Sequence, residues 1–193
     1  MSSYGEPHMT LAKRKLGRTG IDVTVLGFGA APLGDLFARI DDATAIATVE
    51  AAADAGISHF DAAPLYGQGI AEHRIGTALR RRPPGSFTLS TKVGRMLVPA
   101  PKGRNPSTRY VGGLSFDVMH DYGYDAAMRS HEHSLMRFGL PKVDLVLIHD
   151  ADAWSHGPEA GEQRYREAMA GAYRALEKLR SEGVVTGIGI GLN

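Results

Sequence analysis

Three stretches of the sequence end in an ionisable side chain: Ile57-Ser58-His59-Phe60-Asp61, Phe87-Thr88-Leu89-Ser90-Thr91-Lys92 and Val143-Asp144-Leu145-Val146-Leu147-Ile148-His149. Carboxylate, ammonium and imidazole are the side chains that hold charge and move protons. Each also has an ordinary structural reading: Asp61 as a helix cap, Lys92 as a surface charge, His149 as a hydrogen-bonded loop histidine. Taken one at a time, those readings prevail. If the three stretches are neighbouring parallel strands, they lie about 5 Å apart and their last side chains converge. A glycine loop carrying Tyr66 follows Asp61 directly. The joint placement outweighs the separate readings.

The elements that must do this positioning are legible in outline. Lys13 to Val23 reads as a hairpin around a glycine-rich turn. A first apolar strand, Val23 to Phe28, stops at Gly29-Ala30-Ala31-Pro32, and Asp42 is placed to cap a helix through Ala55. A second helix runs from about Ile70 to Arg81 and is stopped by Pro83-Pro84. After Lys92 comes a polar stretch of about thirty residues, too long for an ordinary connection and therefore a candidate binding loop. Asp125 is expected to cap a helix with Met128, His131, Leu135 and Phe138 on one face. A helix carrying Tyr165, Met169, Ala172, Leu176 and Leu179 precedes a last strand, Val185 to Leu192, and the sequence ends at Asn193. Strict alternation of strand and helix predicts an α/β protein with a parallel sheet, either open and doubly wound or closed into a barrel. In both, ligands bind at the carboxyl ends of the strands.

Composition narrows the partners. With 193 residues, 43% of them hydrophobic, the chain can bury one real core. Its 22 Lys+Arg balance 21 Asp+Glu, which argues against nucleic acid or an anionic membrane as partner. The absence of cysteine excludes disulfides and thiolate metal sites and suits a cytoplasmic location. No apolar run approaches the ~20 residues that span a bilayer. Residues 1–10 read as a loose polar leader without a signal peptide's apolar core. His131 and His133 are two apart on a helix and do not face each other as a metal pair. Gly27-Phe28-Gly29 lacks the third glycine of a dinucleotide fingerprint and reads as a tight turn. Gly187, Gly189 and Gly191 strip one face of the last strand of side chains, where either a backbone packs or a flat ligand lies. His59 is expected in the core, and Tyr165 and Tyr173 in packing. Trp154, Asp150 and Asp152 follow the fourth strand, open to substrate contact or loop packing.

The segment Phe60-Asp61-Ala62-Ala63-Pro64-Leu65-Tyr66-Gly67-Gln68-Gly69, with Glu72, Gly76, Lys92 and His149 in their strands, closely resembles the aldo-keto reductase family from about Leu11 to Asn193. Within it, Tyr66-Gly67-Gln68-Gly69 and Ile188-Gly189-Ile190-Gly191-Leu192-Asn193 are similar to the branch of aldose and pyridoxal dehydrogenases. The resemblance implies a (β/α)8 TIM barrel with an N-terminal β-hairpin closing its bottom. It also implies hydride transfer between NAD or NADP and a small carbonyl or alcohol substrate, here a sugar lactol or a pyridoxal-like compound. Tyr66 would be the general acid/base. An unperturbed tyrosine titrates near ~10, so a cation must sit beside it, and Lys92, held by Asp61, would supply one. His149 would direct the substrate oxygen. Gly29, Ala30, Ala31, Asp61 and Asn193 would contact the cofactor, and Tyr66, His149 and Trp154 the substrate.

Two departures stand out. Asp61-Ala62-Ala63 replaces the family's Asp-Thr-Ala, and the Ser-Asn pair of strand five has no clean equivalent. Asn193 matches that asparagine if one residue is inserted, with Gly191 at the serine position. A barrel takes about 250 residues, and this chain carries strands one to five of eight. Residues 11–193 are therefore expected to be the N-terminal part of a single barrel in a longer protein. Two alternatives follow: a nucleotide-binding regulatory subunit, or an inactive truncated fragment.

Overall fold

The computed structural model describes residues 11–100, 102 and 109–193, and the expected leader lies outside them. Lys13–Lys15 (β1) and Asp22–Thr24 (β2) pair antiparallel as the expected hairpin. The chain continues through β3 (Phe28–Gly29), a 3-10 turn at Pro32–Gly34, α1 (Asp42–Asp54), β4 (His59–Asp61), α2 (Ile70–Leu79) and β5 (Thr88–Val93). An antiparallel ribbon of β6 (Arg95–Pro99) and β7 (Phe116–His120) follows, then α3 (Tyr124–Phe138) and β8 (Leu145–His149). The last elements are α4 (Ala153–His156), α5 (Pro158–Ala170), α6 (Ala172–Ser181) and β9 (Gly187–Gly191).

The main sheet has the order β3-β4-β5-β8-β9, and every pair in it is parallel. Each strand lies beside the one before it. A doubly wound sheet would reverse direction at a switch point, and no reversal occurs among the described residues. The architecture is α/β, a five-strand part of a (β/α)8 barrel. The pleat sends Phe60, Leu89, Val93, Val146 and Ile148 into one core with Val49, Ile75, Leu79, Phe138, Leu176 and Leu179 of the helices. On the opposite face lie Asp61, Ser90, Lys92, Leu145, Leu147 and His149, the positions that alternate with these core residues.

The glycines of β9 belong to that inner face, and neither expected occupant covers the first two. A Cβ on Gly187 would stand 2.6 Å from Leu145 Cδ2 and 3.0 Å from Thr19 Cγ2 in the hairpin turn, and one on Gly189 would stand 3.0 Å from Leu147 Cδ2. Neighbouring side chains fill the space. Gly191, 3.5 Å from Lys92 Cε by the same construction, lies beside the catalytic candidates.

A buried polar network fixes the helix behind Tyr66. Glu72 of α2 is fully buried and accepts from Thr91 Oγ1 at 2.6 Å and from Arg137 Nε at 2.5 Å. A Cβ on Gly76 would lie 2.0 Å from Phe138 O, so only glycine lets α2 approach the end of α3 this closely. Buried Arg74 donates to Asp35 Oδ1, Asp42 Oδ1 and the carbonyls of Leu33 and Ile40, which orders the chain after β3.

Several expectations are corrected. The cap of α1 is Asp41, not Asp42: its Oδ1 accepts from Thr44 N at 2.9 Å. Gly123, not Asp125, caps α3, and Asp125 falls in the first turn. The first sheet strand is only Phe28–Gly29, because Val23 and Thr24 are taken by the hairpin and Val25 and Leu26 are exposed. The helix expected before the last strand breaks at Gly171, which presses against Tyr122 O so that a Cβ would come within 2.6 Å. Tyr165 is consequently exposed rather than packed, while Tyr173 does reach the core. The long polar stretch contains the β6–β7 ribbon.

Candidate active site

Asp61 ends β4, Tyr66 sits in the turn before α2, Lys92 is the penultimate residue of β5, and His149 ends β8. Parallel registration brings Asp61, Lys92 and His149 to one edge of the sheet, and the turn before α2 adds Tyr66. Lys92 is 6% exposed, and its ammonium donates to Asp61 Oδ2 at 2.6 Å, Ala62 O at 2.9 Å and Tyr66 Oη at 3.1 Å. Three protons thus have three acceptors, which offsets the cost of burying the charge. The second oxygen of Asp61 takes Ser90 Oγ at 2.6 Å. The Tyr66 ring packs against Tyr110, with centroids 6.1 Å apart, and meets the edge of the His149 ring at 5.8 Å.

His149 is 4% exposed. Burial, reinforced by Arg95, Lys92 and His120, holds its imidazole well below the ordinary 6.5, so the ring is neutral at pH 7. Its Nε2 lies 3.4 Å from Asp150 Oδ2 without forming a hydrogen bond to it, and with a neutral ring the two are not an ion pair. Nδ1 is buried without a hydrogen-bond partner. Asp150 itself pairs with Arg95 at 2.8 Å. Burial pushes the Asp150 carboxyl up, against the pull of Arg95. Burial, then Tyr66, pushes the Tyr110 hydroxyl up as well. These groups line an open cleft of ≈ 690 Å³ at the carboxyl ends of the strands, where Lys92, Tyr66 and His149 meet Arg95, Tyr110 and Asn193.

The remaining candidates fall in different places. Trp154 is 81% exposed and stands on the cleft lining, so loop packing does not explain it. Asn193 lines the cleft, with its Nδ2 3.0 Å from Asp150 Oδ1. Gly29 and Ala31 are not part of the lining, and Ala30 is fully buried in the core with its N–H on Asp61 O at 2.8 Å. His59 is only partly buried, and burial lowers its titration. His131 is buried with both ring nitrogens unpartnered.

Sequence reasoning misses Arg95, Tyr110 and His120 because all three lie in the stretch taken as a loop. A signal was available: Phe116, Val118 and Met119 form a short apolar cluster of strand length, and Met96-Leu97-Val98 resumes an apolar run after Gly94. Gly94 has φ +101°, and a Cβ there would strike the Tyr122 ring at 2.3 Å, so the chain can turn from β5 into the ribbon only at a glycine.

The chain matches the Aldo/keto reductase family over residues 25–192 and belongs to that family. It is 41% identical to pyridoxal 4-dehydrogenase of Microbacterium luteolum over 190 residues, covering 94% of this chain and 55% of that protein. It is also 41% identical to D-threo-aldose 1-dehydrogenase of a Pseudomonas species over 182 residues, covering 89% and 51%. In structure it is similar to an aldo-keto reductase from Bacillus halodurans in its holo form, with TM-score 0.70, 26% identity, and coverage of 94% and 50%. The chain spans about half the length of the curated relatives it matches. Among the described residues no helix is long and apolar enough to cross a membrane.

The residues present fit a nicotinamide group. Gly191 leaves a side-chain-sized gap beside Lys92, His149 and Tyr66 line the same wall, and a carboxamide stands at Asn193. A flat ring with an amide substituent suits such a place.

Proposed function

We propose that this site interconverts a small carbonyl compound and its alcohol with NAD or NADP, Tyr66 being the general acid/base. The observation that carries the reading is the Lys92 ammonium held on Asp61 Oδ2 and Tyr66 Oη at once, at the edge of an open cleft. When bound, the nicotinamide supplies or accepts the hydride. Asn193, on the cleft lining beside Gly191, would hold its amide.

In reduction, Tyr66 Oη gives its proton to the substrate oxygen, and the Lys92 ammonium 3.1 Å away stabilises the phenolate that remains. In oxidation the same oxygen takes the proton from the alcohol. Asp61 keeps Lys92 in place and charged against its burial. His149, neutral at pH 7, donates a hydrogen bond to the substrate oxygen and fixes its direction.

Two relatives of equal identity support a sugar lactol or a pyridoxal-like compound as substrate. Exposed Trp154 and Phe37 on the cleft lining support the same reading, since a sugar's C–H face or a pyridine ring stacks on such rings. A cytoplasmic location goes with it, in keeping with a cysteine-free chain.

The test is a multiple-turnover screen of the whole protein with NAD and NADP against aldoses and pyridoxal, followed by nicotinamide absorbance. Sustained turnover with one substrate class is expected. Binding of the cofactor without turnover would replace the enzyme by a nucleotide-binding regulator, and failure to bind it would leave an inactive fragment.

A further inference from the structure

We propose that Asp150, locked by Arg95, is a positioning residue that fixes the Nε2–H form of His149 and the carboxamide of Asn193 together. The inference rests on the role proposed above for His149. Asp150 follows His149 at the end of β8 with φ +49°, a left-handed conformation that Asp tolerates better than most side chains. Its N–H donates to Gly191 O at 2.7 Å, and Tyr122 Oη lies 2.8 Å from His149 O and 3.1 Å from Asp150 O. This pinned turn aims the carboxylate back over the site.

Each carboxylate oxygen then has a task. Oδ2 lies 2.8 Å from Arg95 Nη2 and 3.4 Å from His149 Nε2, while Oδ1 takes Asn193 Nδ2 at 3.0 Å. A neutral imidazole carries one ring proton. Nδ1 of His149 is buried without an acceptor, whereas Nε2 faces a carboxylate, so the proton belongs on Nε2. At 3.4 Å the carboxylate attracts that proton without accepting a hydrogen bond from it, so a substrate oxygen entering the cleft meets a free donor. Holding Asn193 by its NH2 group likewise sets which way its carbonyl oxygen points. Arg95 reaches the carboxylate from β6, so the ribbon outside the main sheet is tied to both.

The test uses Asp150→Asn, which keeps size and tolerance for positive φ, with Arg95→Met and Arg95→Lys, all in the whole protein. The nitrogen-proton correlation spectrum of the His149 ring is read alongside kcat and KM. Wild type is expected to carry its proton on Nε2, and Asp150→Asn to move the ring toward a mixture of tautomers. With that shift kcat should fall roughly tenfold or more, with a smaller change in KM. Arg95→Lys is expected to retain more of both signals than Arg95→Met. A wild-type proton on Nδ1 overturns the proposal, and needs no variant to fold. An unchanged tautomer in Asp150→Asn overturns it too. The tautomer is read without turnover, so a protein showing the expected ring states yet reducing no carbonyl supports the positioning role and contradicts the proposed function.

Discussion

Nζ of Lys92 and Oη of Tyr66, on the strand and the loop that flank α2, meet at 3.1 Å, and the same ammonium is 2.6 Å from Asp61. One buried charge thus links an acid that anchors it to a phenol oxygen that accepts from it. Lys92→Met keeps the bulk, removes the charge and leaves Asp61 unpaired. It is expected to lower kcat by roughly 10²-fold or more, as steady-state kinetics would register, and to lower stability, as a urea melt would register. Turnover near that of the wild type would contradict the pairing.

The buried histidines predict acid sensitivity. Burial lowers the titration of His149 and His131 below 6.5 in the folded protein. Between those lowered values and 6.5 the unfolded chain binds more protons than the folded one, so stability rises with pH there. The full contribution is present above about pH 6.5 and is lost as pH falls toward the folded values. Urea midpoints at about pH 5 and about pH 7.5 should therefore differ, the lower pH being less stable. His131→Leu, which removes two unpartnered nitrogens, is expected to flatten that difference.

Arg137 neutralises a fully buried carboxylate, that of Glu72. Arg137→Leu leaves that charge with Thr91 as its remaining hydrogen-bond donor. The expected cost is about 3–5 kcal/mol, the range for breaking one side of a buried pair, measurable by chemical denaturation. Because Glu72 lies on the helix that follows Tyr66, kcat should also fall in protein that remains folded.

Trp154 makes the opposite case. It is exposed, so Trp154→Ala is expected to leave stability within about 0.5 kcal/mol. As a stacking surface for substrate it should raise KM several-fold while changing kcat little, a split read from steady-state kinetics. An unchanged KM would remove Trp154 from the substrate site.

Much of this was legible because strand and helix patterns alternate strictly, β8 reads as an apolar run, and the strand ends are marked by Asp61, Lys92 and His149. The four catalytic candidates needed only the assumption of parallel neighbours. The strands of the ribbon left a signal, but their pairing was not legible: the partners of Arg95–Pro99 lie some twenty residues away, and no short turn announces it. Asp41 and Asp42 are equally good caps by type, and only backbone geometry separates them. The break at Gly171 is hidden because helical spacing runs through it, and its cause is the close approach of Tyr122. The hub at Asp150 depends on a positive φ that no sequence pattern around it demands.

The most direct test is Tyr66→Phe in the whole protein, assayed for turnover and titrated with reduced nicotinamide cofactor by fluorescence. Loss of the phenolic oxygen leaves the Asp61–Lys92 pair intact, so cofactor affinity should hold while turnover falls roughly 10²-fold or more. Near-normal turnover with cofactor still bound would contradict the account at its centre.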